Sequence, residues 1–430
     1  MFSKKYFYHL RTSFIQVAVQ VFIPLLLTPY MIGKLEEEMY GLWVLFITIL
    51  GYFGLTGFGF GTTFLKETSK HNDVLYINRY LNSTLFLYLG LSFAAILVFL
   101  YLFINIDTVF LIPYGLMSEA KLSFVLFFLS FFISFISSLF GTLLFAKDRL
   151  YIQNYISIFS SIVSAFLMFI ALYGGYKLIS LAWIHLCMAI FSGTLVYFIA
   201  KKYVDFELSF KYFDPSLLKE MVKPSLHYFI ITASALIVLS SDNIIISSFI
   251  GIGSVAFYAI GYKLVDISQK ILFKIVDIMI PDIARLDQEK NYSAILKLHN
   301  KMLFLSMLLG FVGYGILFFY GIDFLNWWVG EKYVLDENIF RIFIAFGMVH
   351  AGVHVSAIFI VAMGLHRATS YMTIADAILN VVLSIILLRD YGLWGVAMGT
   401  LLAHILTSGW FTTWWFYKQI HIKFKENEGL

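Results

Sequence analysis

The chain has 430 residues, of which 60% are hydrophobic and 13% are charged, and its mean hydropathy is +0.85. An ordinary soluble domain carries about 25% charged residues, so the composition excludes a soluble globular protein and indicates an integral membrane protein. The formal net charge of +4 gives no support to nucleic-acid binding, because basic residues in a membrane protein report its topology.

Twelve apolar segments are long enough to cross a bilayer, since a helix of about 20 residues spans a hydrocarbon core of about 30 Å. They lie near residues 13–32, 40–60, 82–105, 122–145, 152–172, 177–200, 225–250, 253–284, 302–320, 339–364, 368–388 and 392–416. The connections between them are too short for a soluble domain of about 50 residues or more. We therefore predict an all-α integral membrane protein with about 12 transmembrane helices.

The 30 lysines and arginines are distributed unevenly between the two sets of loops. Most lie in loops on the side of the N-terminus, for example Lys147, Arg149 and Lys201. Basic loops resist translocation, so we expect both termini in the cytoplasm. The first segment follows Arg11 and has no A-x-A-like cleavage site, so we expect it to remain as a signal anchor.

An internal repeat relates the two halves of the chain. A Gly at position 33 precedes a Tyr at position 40, and Gly251 precedes Tyr258 at the same spacing. Arg367 follows Arg149 by the same number of residues as Gly251 follows Gly33. An even number of helices returns the chain to the same side of the membrane, so both halves have the same orientation. We therefore predict two parallel six-helix lobes around a central cavity. The predicted divisions are an N-terminal lobe at 1–200, a cytoplasmic inter-lobe linker at 201–224 and a C-terminal lobe at 225–430.

Charged residues interrupt the eighth apolar segment, whose sequence over 261–281 is GYKLVDISQKILFKIVDIMIP. At 100° per residue, they fall in one stripe about 80° wide. The residues of the stripe are Lys263, Asp266, Lys270, Lys274 and Asp277. A charge at the bilayer centre costs about 3 kcal/mol or more, so the stripe is expected to face the bundle interior or a water-filled cavity.

The three lysines of this stripe predict a site for phosphate groups, with Asp266 and Asp277 as charge partners. The alternative is that the five residues neutralise one another as i,i+3 and i,i+4 pairs, with the last two turns in cytoplasmic water.

Other polar residues lie at membrane depth. Asp242 in the seventh segment, and Asp376 with Asn380 in the eleventh, could bind a coupling cation such as Na⁺ or H⁺, or cap a buried lysine or backbone group. Gln16 and Gln20 could contact the hydroxyls of a glycan, although hydrogen bonding between helices is the more common role.

Several catalytic and metal-binding motifs are absent from the sequence. His350 and His354 have the spacing of metal ligands, but no acidic residue stands near them in sequence, so no metal site is expected. The chain has neither GxxxxGK[ST] nor G-x-S-x-G. We therefore expect a transporter without enzymatic activity, which needs no cofactor beyond a coupling ion.

The second segment, YGLWVLFITILGYFGLTGFGFGTTFLKETSK, resembles the hallmark segment of a transporter family. The family is the polysaccharide-transporter branch of the multidrug/oligosaccharidyl-lipid/polysaccharide (MOP) exporter superfamily, which contains the O-antigen and capsule repeat-unit flippases. Residues 40–43, Gly59, Gly61 and Lys66 match its pattern, whereas Gly57 stands where the family usually has aspartate. The resemblance therefore does not extend to a carboxylate in the second segment.

A second stretch, SSDNIIISSFIGIGSVAFYAIGYKL, resembles the seventh and eighth spans of this family, with Asp242 and Tyr258 at its usual acidic and aromatic positions. The resemblance implies alternating-access transport of an undecaprenyl-pyrophosphate-linked oligosaccharide repeat unit from the inner to the outer leaflet of the bacterial cytoplasmic (inner) membrane. It also implies cationic residues in the second lobe, which agrees with the lysine stripe.

The expected partners are the lipid-linked oligosaccharide, membrane lipids, and a polymerase with its chain-length machinery, and the protein itself is expected to be a monomer. Two alternatives stay open: a drug/cation antiporter of the same superfamily, and a polytopic polysaccharide polymerase.

Overall fold

The computed structural model describes residues 4–70, 73–365 and 367–428, and all regular elements in these ranges are helices. The α-helices are α1 Lys4–Gly54, α2 Phe60–Lys70, α3 Val74–Ile104, α4 Ile106–Val109, α5 Met117–Ala146, α6 Leu150–Tyr173, α7 Leu178–Tyr203, α8 Pro215–Phe249, α9 Ile252–Asp277, α10 Ile280–Gln288, α11 Tyr292–Val329, α12 Glu337–Ala362, α13 Arg367–Leu406 and α14 Ser408–Glu428. Short 3₁₀ turns occur at Leu55–Gly57, Tyr114–Leu116, Phe210–Tyr212 and Glu331–Tyr333. The predicted all-α architecture is confirmed.

Nine segments in the described ranges are long and apolar enough to cross a membrane. Arg11–Gly57 contains the first predicted segment and most of the second, and Arg367–Glu426 contains the eleventh and twelfth. Helix α9 is not among the nine because its charged and polar residues lower its hydropathy, but it contains most of the eighth predicted segment. Two of the nine segments each hold two predicted helices, and α9 adds one more, so the predicted total of about 12 transmembrane helices agrees with the described ranges. The protein is a multi-pass membrane protein.

Local breaks explain why the helix count and the segment count differ. Glu36 has φ 63° inside α1, and Gly392 has φ 57° inside α13, so each long helix consists of two helical parts. The eighth predicted segment extended to residue 284, whereas α9 ends at Asp277 and α10 begins at Ile280. Pro281 lies in the first turn of α10, where its missing N–H costs no hydrogen bond.

The chain forms two compact units, which we describe separately. Unit 1 comprises Met1–Ala233 and Ser247–Gly253, and unit 2 comprises Ser234–Ile246 and Ser254–Leu430. The predicted lobe boundaries and their parallel-repeat relationship stay predictions.

Aromatic packing stabilises unit 1. Phe46 of α1, Phe99 of α3, and Phe124 and Phe128 of α5 are buried, and the ring centroids of Phe99 and Phe128 are 4.1 Å apart. Lipid tails are as apolar as these side chains, so helices in a bilayer associate through close van der Waals packing and hydrogen bonds. The flat rings supply that packing here.

A core of apolar side chains from α10, α11, α12 and α14 stabilises unit 2. Ile283, Ile295, Phe359, Phe416 and Ile420 belong to this core, and none of them is more than 1% exposed. The core fixes one end of α12, which carries two of the histidines described below.

The segment between α7 and α8, residues 204–214, is fastened to α3 by two buried asparagines. The Asn82 amide donates to the carbonyl of Glu207 at 2.8 Å and its oxygen accepts from the amide of Ser209 at 2.9 Å. Asn78 accepts from the amide of Glu207 at 2.8 Å. These bonds satisfy backbone groups that would otherwise lack partners beside the helix.

Asp214 ends this segment and caps α8. Its carboxylate accepts hydrogen bonds from the side chain of Ser216 at 2.6 Å and from the amide of Ser216 at 2.9 Å, and it pairs with Arg79. The Ser216 hydroxyl and amide, together with Arg79, lower the pKa of Asp214 to about 2, so the carboxylate is charged at neutral pH. A charged N-cap stabilises the first turn of α8.

Replacing Asn82 by alanine is expected to lower the free energy of unfolding by about 2 kcal/mol or more, because backbone groups of Glu207 and Ser209 lose their partners. Hydrogen exchange at the Ser209 amide should accelerate, and thermal unfolding in detergent should begin at a lower temperature. The control is Asn105→Ala, which removes a bond only to Tyr101 at the end of α3. Unchanged exchange at Ser209 would contradict this account of the segment.

Candidate functional site

Helix α9 carries the predicted charged stripe in unit 2. Lys270 donates to the Asp266 carboxylate at 2.8 Å, which is an i,i+4 ion pair. The Lys270 side chain is 51% exposed and that of Asp266 is 28% exposed. Lys263, Lys274 and Asp277 are of intermediate exposure. The Lys270–Asp266 pair is therefore one of the neutralising i,i+4 pairs that the alternative interpretation of the stripe expects.

Asp277 pairs with a residue that the stripe did not indicate. Its Oδ1 lies 2.9 Å from Nε2 of His354 on α12. Among the residues that the structure describes, neither Lys263 nor Lys274 has an ion-pair partner within 4.0 Å. Lys263 and Lys274 are thus the members of the stripe whose ammonium groups could bind an anion.

A second polar cluster surrounds Asp242 of α8. The Tyr258 hydroxyl of α9 donates to Oδ2 of Asp242 at 2.5 Å, and the Thr400 hydroxyl lies 3.1 and 3.0 Å from its two carboxylate oxygens. The Asn380 amide donates to Thr400 at 2.9 Å, and the Asn380 oxygen accepts from Ser241 at 3.0 Å. All five residues are buried. The fold therefore unites two of the predicted cation-coupling residues, Asp242 and Asn380.

The third predicted cation-coupling residue, Asp376, lies one turn before Asn380 on α13. Its Oδ2 is 2.8 Å from Nδ1 of His404, and both residues are buried. Within the described ranges, Oδ1 of Asp376 and Nε2 of His404 have no hydrogen-bond partner. Thr400, Ser241 and His404 were missed by the sequence analysis. The i,i+4 spacing of Thr400 and His404 in a late apolar segment is the signal that could have indicated two of them.

The chemistry of the Asp242 cluster suits a small hard cation. Its carboxylate, amide and hydroxyl groups offer oxygen atoms, the ligand type that hard cations take in proteins. The described residues contain no group of three or more His, Cys, Asp and Glu side chains arranged to hold a metal ion.

Gln16 and Gln20 lie on α1 in unit 1. Gln16 donates to the Ser157 hydroxyl of α6 at 3.1 Å, which is a helix-to-helix bond, and also lines a cavity of about 510 Å³. Gln20 is exposed and is not among the residues that line this cavity. The cavity is lined by amides, hydroxyls and apolar groups: Gln16, Gly61, Thr62, Leu65, Thr142, Phe145, Leu150, Gln153, Asn154 and Ser157.

Comparison with known proteins gives one family match. A family model described as "Polysaccharide biosynthesis protein" matches residues 10–287, which is more than half of the chain. A comparison with curated proteins gives no match.

Several solved structures share the fold. An inward-facing multidrug resistance MATE family transporter of the MOP superfamily has a TM-score of 0.78 at 12% identity, with 94% of this chain and 96% of that chain covered. The lipid II flippase MurJ has a TM-score of 0.76 at 15% identity, covering 95% and 87%. A MOP superfamily transporter from Pyrococcus furiosus has a TM-score of 0.68 at 13% identity, covering 97% and 96%. At these identities the likeness shows the fold, which is that of MOP superfamily transporters.

Proposed function

We propose that this chain, which belongs to the family of polysaccharide biosynthesis proteins, is a flippase for a lipid-pyrophosphate-linked oligosaccharide. The proposed substrate is an undecaprenyl-pyrophosphate-linked repeat unit of O-antigen or capsule type, moved by alternating access from the inner to the outer leaflet. The observation that carries the proposal is the pair of partly buried lysines on α9, Lys263 and Lys274, which have no carboxylate partner in the described ranges. Such a face favours an anion at membrane depth.

In this proposal the lysines of α9 bind the pyrophosphate. Lysine acts as a point-charge donor to phosphate oxygens. Lys270 forms an ion pair with Asp266, so the stripe does not present a full charge of +3 to the pyrophosphate. The ion pair thereby limits the strength of binding. A carrier must release its substrate, so a partly compensated face suits transport better than a fully cationic one.

The proposed driving force is a cation bound near Asp242. Asp242 and Asn380 share Thr400 as a hydrogen-bond partner, and all three supply oxygen ligands. Asp376 lies one helical turn away. A coupling Na⁺ or H⁺ at this cluster would alter the contacts between α8, α9 and α13.

The glycan has a candidate contact in unit 1. Gln16 lines the cavity of about 510 Å³, a size within the range of small-molecule sites of about 300–1,000 Å³. Its amides and hydroxyls match the donors and acceptors of a sugar. Gln20, which is exposed, is the weaker candidate of the pair.

The proposed setting combines topology with the family resemblance. Both termini would lie in the cytoplasm, because basic loops resist translocation. The resemblance to repeat-unit flippases implies that the membrane is the bacterial cytoplasmic (inner) membrane. We further propose that the monomer acts as a transporter and has no enzymatic activity, with membrane lipids and a polymerase with its chain-length machinery as partners.

A drug/cation antiporter is the second candidate, and the fold shared with MATE family transporters favours it. Against it, the uncompensated lysines of α9 would repel a cationic drug. A repeat-unit polymerase is the third candidate, and it would have to act on repeats outside the membrane.

Deletion of the protein in its source cell separates these candidates. We expect lipid-linked single repeats to accumulate on the inner leaflet, because the synthesis of each repeat continues without transport. Leaflet exposure can be measured with an impermeant glycan-oxidising reagent in intact and lysed cells. Repeats that are exposed outside but unpolymerised would indicate a polymerase instead, and unchanged repeats with increased drug sensitivity would indicate the antiporter.

A further inference from the structure

Three histidines and two aspartates of unit 2 lie along a series from a partly exposed pair to a buried pair. At one end, the Asp277 and His354 side chains, 2.9 Å apart, are 35% and 18% exposed. At the other end, the Asp376 and His404 side chains, 2.8 Å apart, are 2% and 4% exposed. The series thus connects an accessible carboxylate with a buried one.

His350 lies between the two pairs. It is one turn before His354 on α12, and its ring centroid is 5.0 Å from that of His404. The Phe273 ring stacks on His354 at 3.8 Å and lies 5.2 Å from His350, so it excludes water from one side of both imidazoles. His350 thus lies beside His404, and the Phe273 ring packs against both α12 histidines.

Three polar atoms at the inner end lack hydrogen-bond partners within the described part of the chain. They are Nδ1 of His350, Nε2 of His404 and Oδ1 of Asp376. A buried polar group without a partner destabilises the folded state. Such a cluster is stabilised when it takes up a small polar species, and imidazole and carboxylate side chains both bind protons.

We propose that Asp376 and His404 form a proton-binding site that is loaded from Asp277 through His354 and His350. A proton from water binds the Asp277–His354 pair, moves from the imidazolium of His354 to the neutral ring of His350, and then moves to His404. There the carboxylate of Asp376 balances the charge of the imidazolium. Each transfer leaves the donor ring neutral, and intramembrane chains of acidic residues and histidines form proton relays in pumps and transporters.

This proposal rests on the proposed transport function and names its coupling ion as the proton. An alkali cation would be repelled by a protonated imidazole, whereas a carboxylate beside an imidazole can hold a proton between them. The adjacent Asp242 cluster is one turn away through Asn380, so occupancy of the proton site can alter its hydrogen bonds.

The titratable and charged groups around the series come from several helices. Helix α9 contributes Asp277 and, one turn earlier, Lys274. Helix α11 contributes Tyr314, which packs against Gly347 of α12. Helix α13 contributes Asp376 and His404, and α8 contributes Asp242 beyond Asn380.

The transport test uses proteoliposomes that contain an undecaprenyl-pyrophosphate-linked oligosaccharide and an internal pH dye. We expect an imposed pH gradient to drive lipid movement with proton flux in the wild-type protein. His404→Gln and Asp376→Asn should each lower the pH-driven rate by about 10²-fold or more, the lower end of the range for loss of a proton-transferring group. The control is His299→Gln, since His299 is a buried histidine bound to Ser356 outside the series. Full pH-driven transport in both variants would overturn the proposal.

A second measurement needs no lipid substrate. Imidazole ¹⁵N signals of the purified protein, followed across pH, report the protonation of its ten histidines. We expect the His404 signal to change with pH in the wild-type protein and to follow a different pH dependence in Asp376→Asn. In His299→Gln the His404 signal should follow the wild-type pH dependence. If His404→Gln fails to fold, the His404 signal can still be recognised as the one whose pH dependence changes in Asp376→Asn. If the imidazole ¹⁵N signals of Asp376→Asn and the wild-type protein change with pH in the same way, the proton site is overturned.

The two measurements separate the two proposals. If the wild-type protein moves no lipid under any gradient but the His404 signal behaves as expected, the flippase function fails and the proton site stands. If lipid moves at a rate that is independent of the pH gradient, the flippase function stands and the proton site fails.

Discussion

Replacing Lys270 and Lys274 together by alanine is expected to abolish transport of a lipid-pyrophosphate-linked oligosaccharide while the protein stays folded in the membrane. Hydrogen bonds to charged groups contribute about 1.5–3 kcal/mol each, so two of them amount to about 10²-fold or more in substrate affinity. The loss of Lys270 also leaves Asp266 without its partner, and that carboxylate then repels the pyrophosphate.

The matched control is the double substitution Lys297→Ala and Lys301→Ala. These two lysines have the same i,i+4 spacing on α11, and both are exposed. The control should keep transport near the wild-type rate, and both proteins should reach the membrane in equal amounts. Full transport with Lys270 and Lys274 both replaced would show that the charges of α9 only neutralise one another.

Asp242→Asn is expected to have the second large effect. The asparagine has the shape of aspartate but lacks its charge, and its amide group faces the donors Tyr258 and Thr400. The amide nitrogen replaces one carboxylate oxygen and cannot accept a hydrogen bond. At least one hydrogen bond is therefore lost, at about 1–3 kcal/mol for the unsatisfied group. Cation-driven transport should fall by about tenfold or more, since one charged ligand of the proposed cation is gone.

The transport rate of Asp242→Asn should be measured in liposomes under imposed Na⁺ and proton gradients. Ser384→Ala is the control, because Ser384 is buried on the same helix as Asn380 and its hydroxyl donates to the Val396 carbonyl at 3.3 Å, away from Asp242. An unaltered response to both gradients in Asp242→Asn would exclude Asp242 as a cation ligand.

Local features of the fold could be predicted from the sequence. Segment length and hydropathy predicted the transmembrane helices, and residue spacing predicted the stripe from Lys263 to Asp277. The eighth segment was predicted too long because the proline at 281 was placed inside it, whereas the chain uses Pro281 to begin α10. The charged stretch between the first two predicted segments indicated a break in α1, but residue type gave no signal that the positive φ falls at Glu36, since a positive φ is uncommon for glutamate.

Contacts between distant segments could not be predicted. No acidic residue stands near His354 in sequence, yet the fold brings Asp277 to it across 77 positions. In the same way Thr400 reaches Asp242 across 158 positions and His404 reaches Asp376 across 28. Hydropathy and helical periodicity describe one helix at a time, so they give no information on which polar faces meet.

The measurement that tests the central claim most directly is transbilayer movement of an undecaprenyl-pyrophosphate-linked oligosaccharide in liposomes that contain the purified wild-type protein. Protein-free liposomes and the Lys270/Lys274 double alanine variant are measured beside it. We expect movement with the wild-type protein under an imposed ion gradient or membrane potential, and none in the other two. Folded wild-type protein that moves no lipid under a Na⁺ gradient, a proton gradient or a membrane potential would contradict the flippase account.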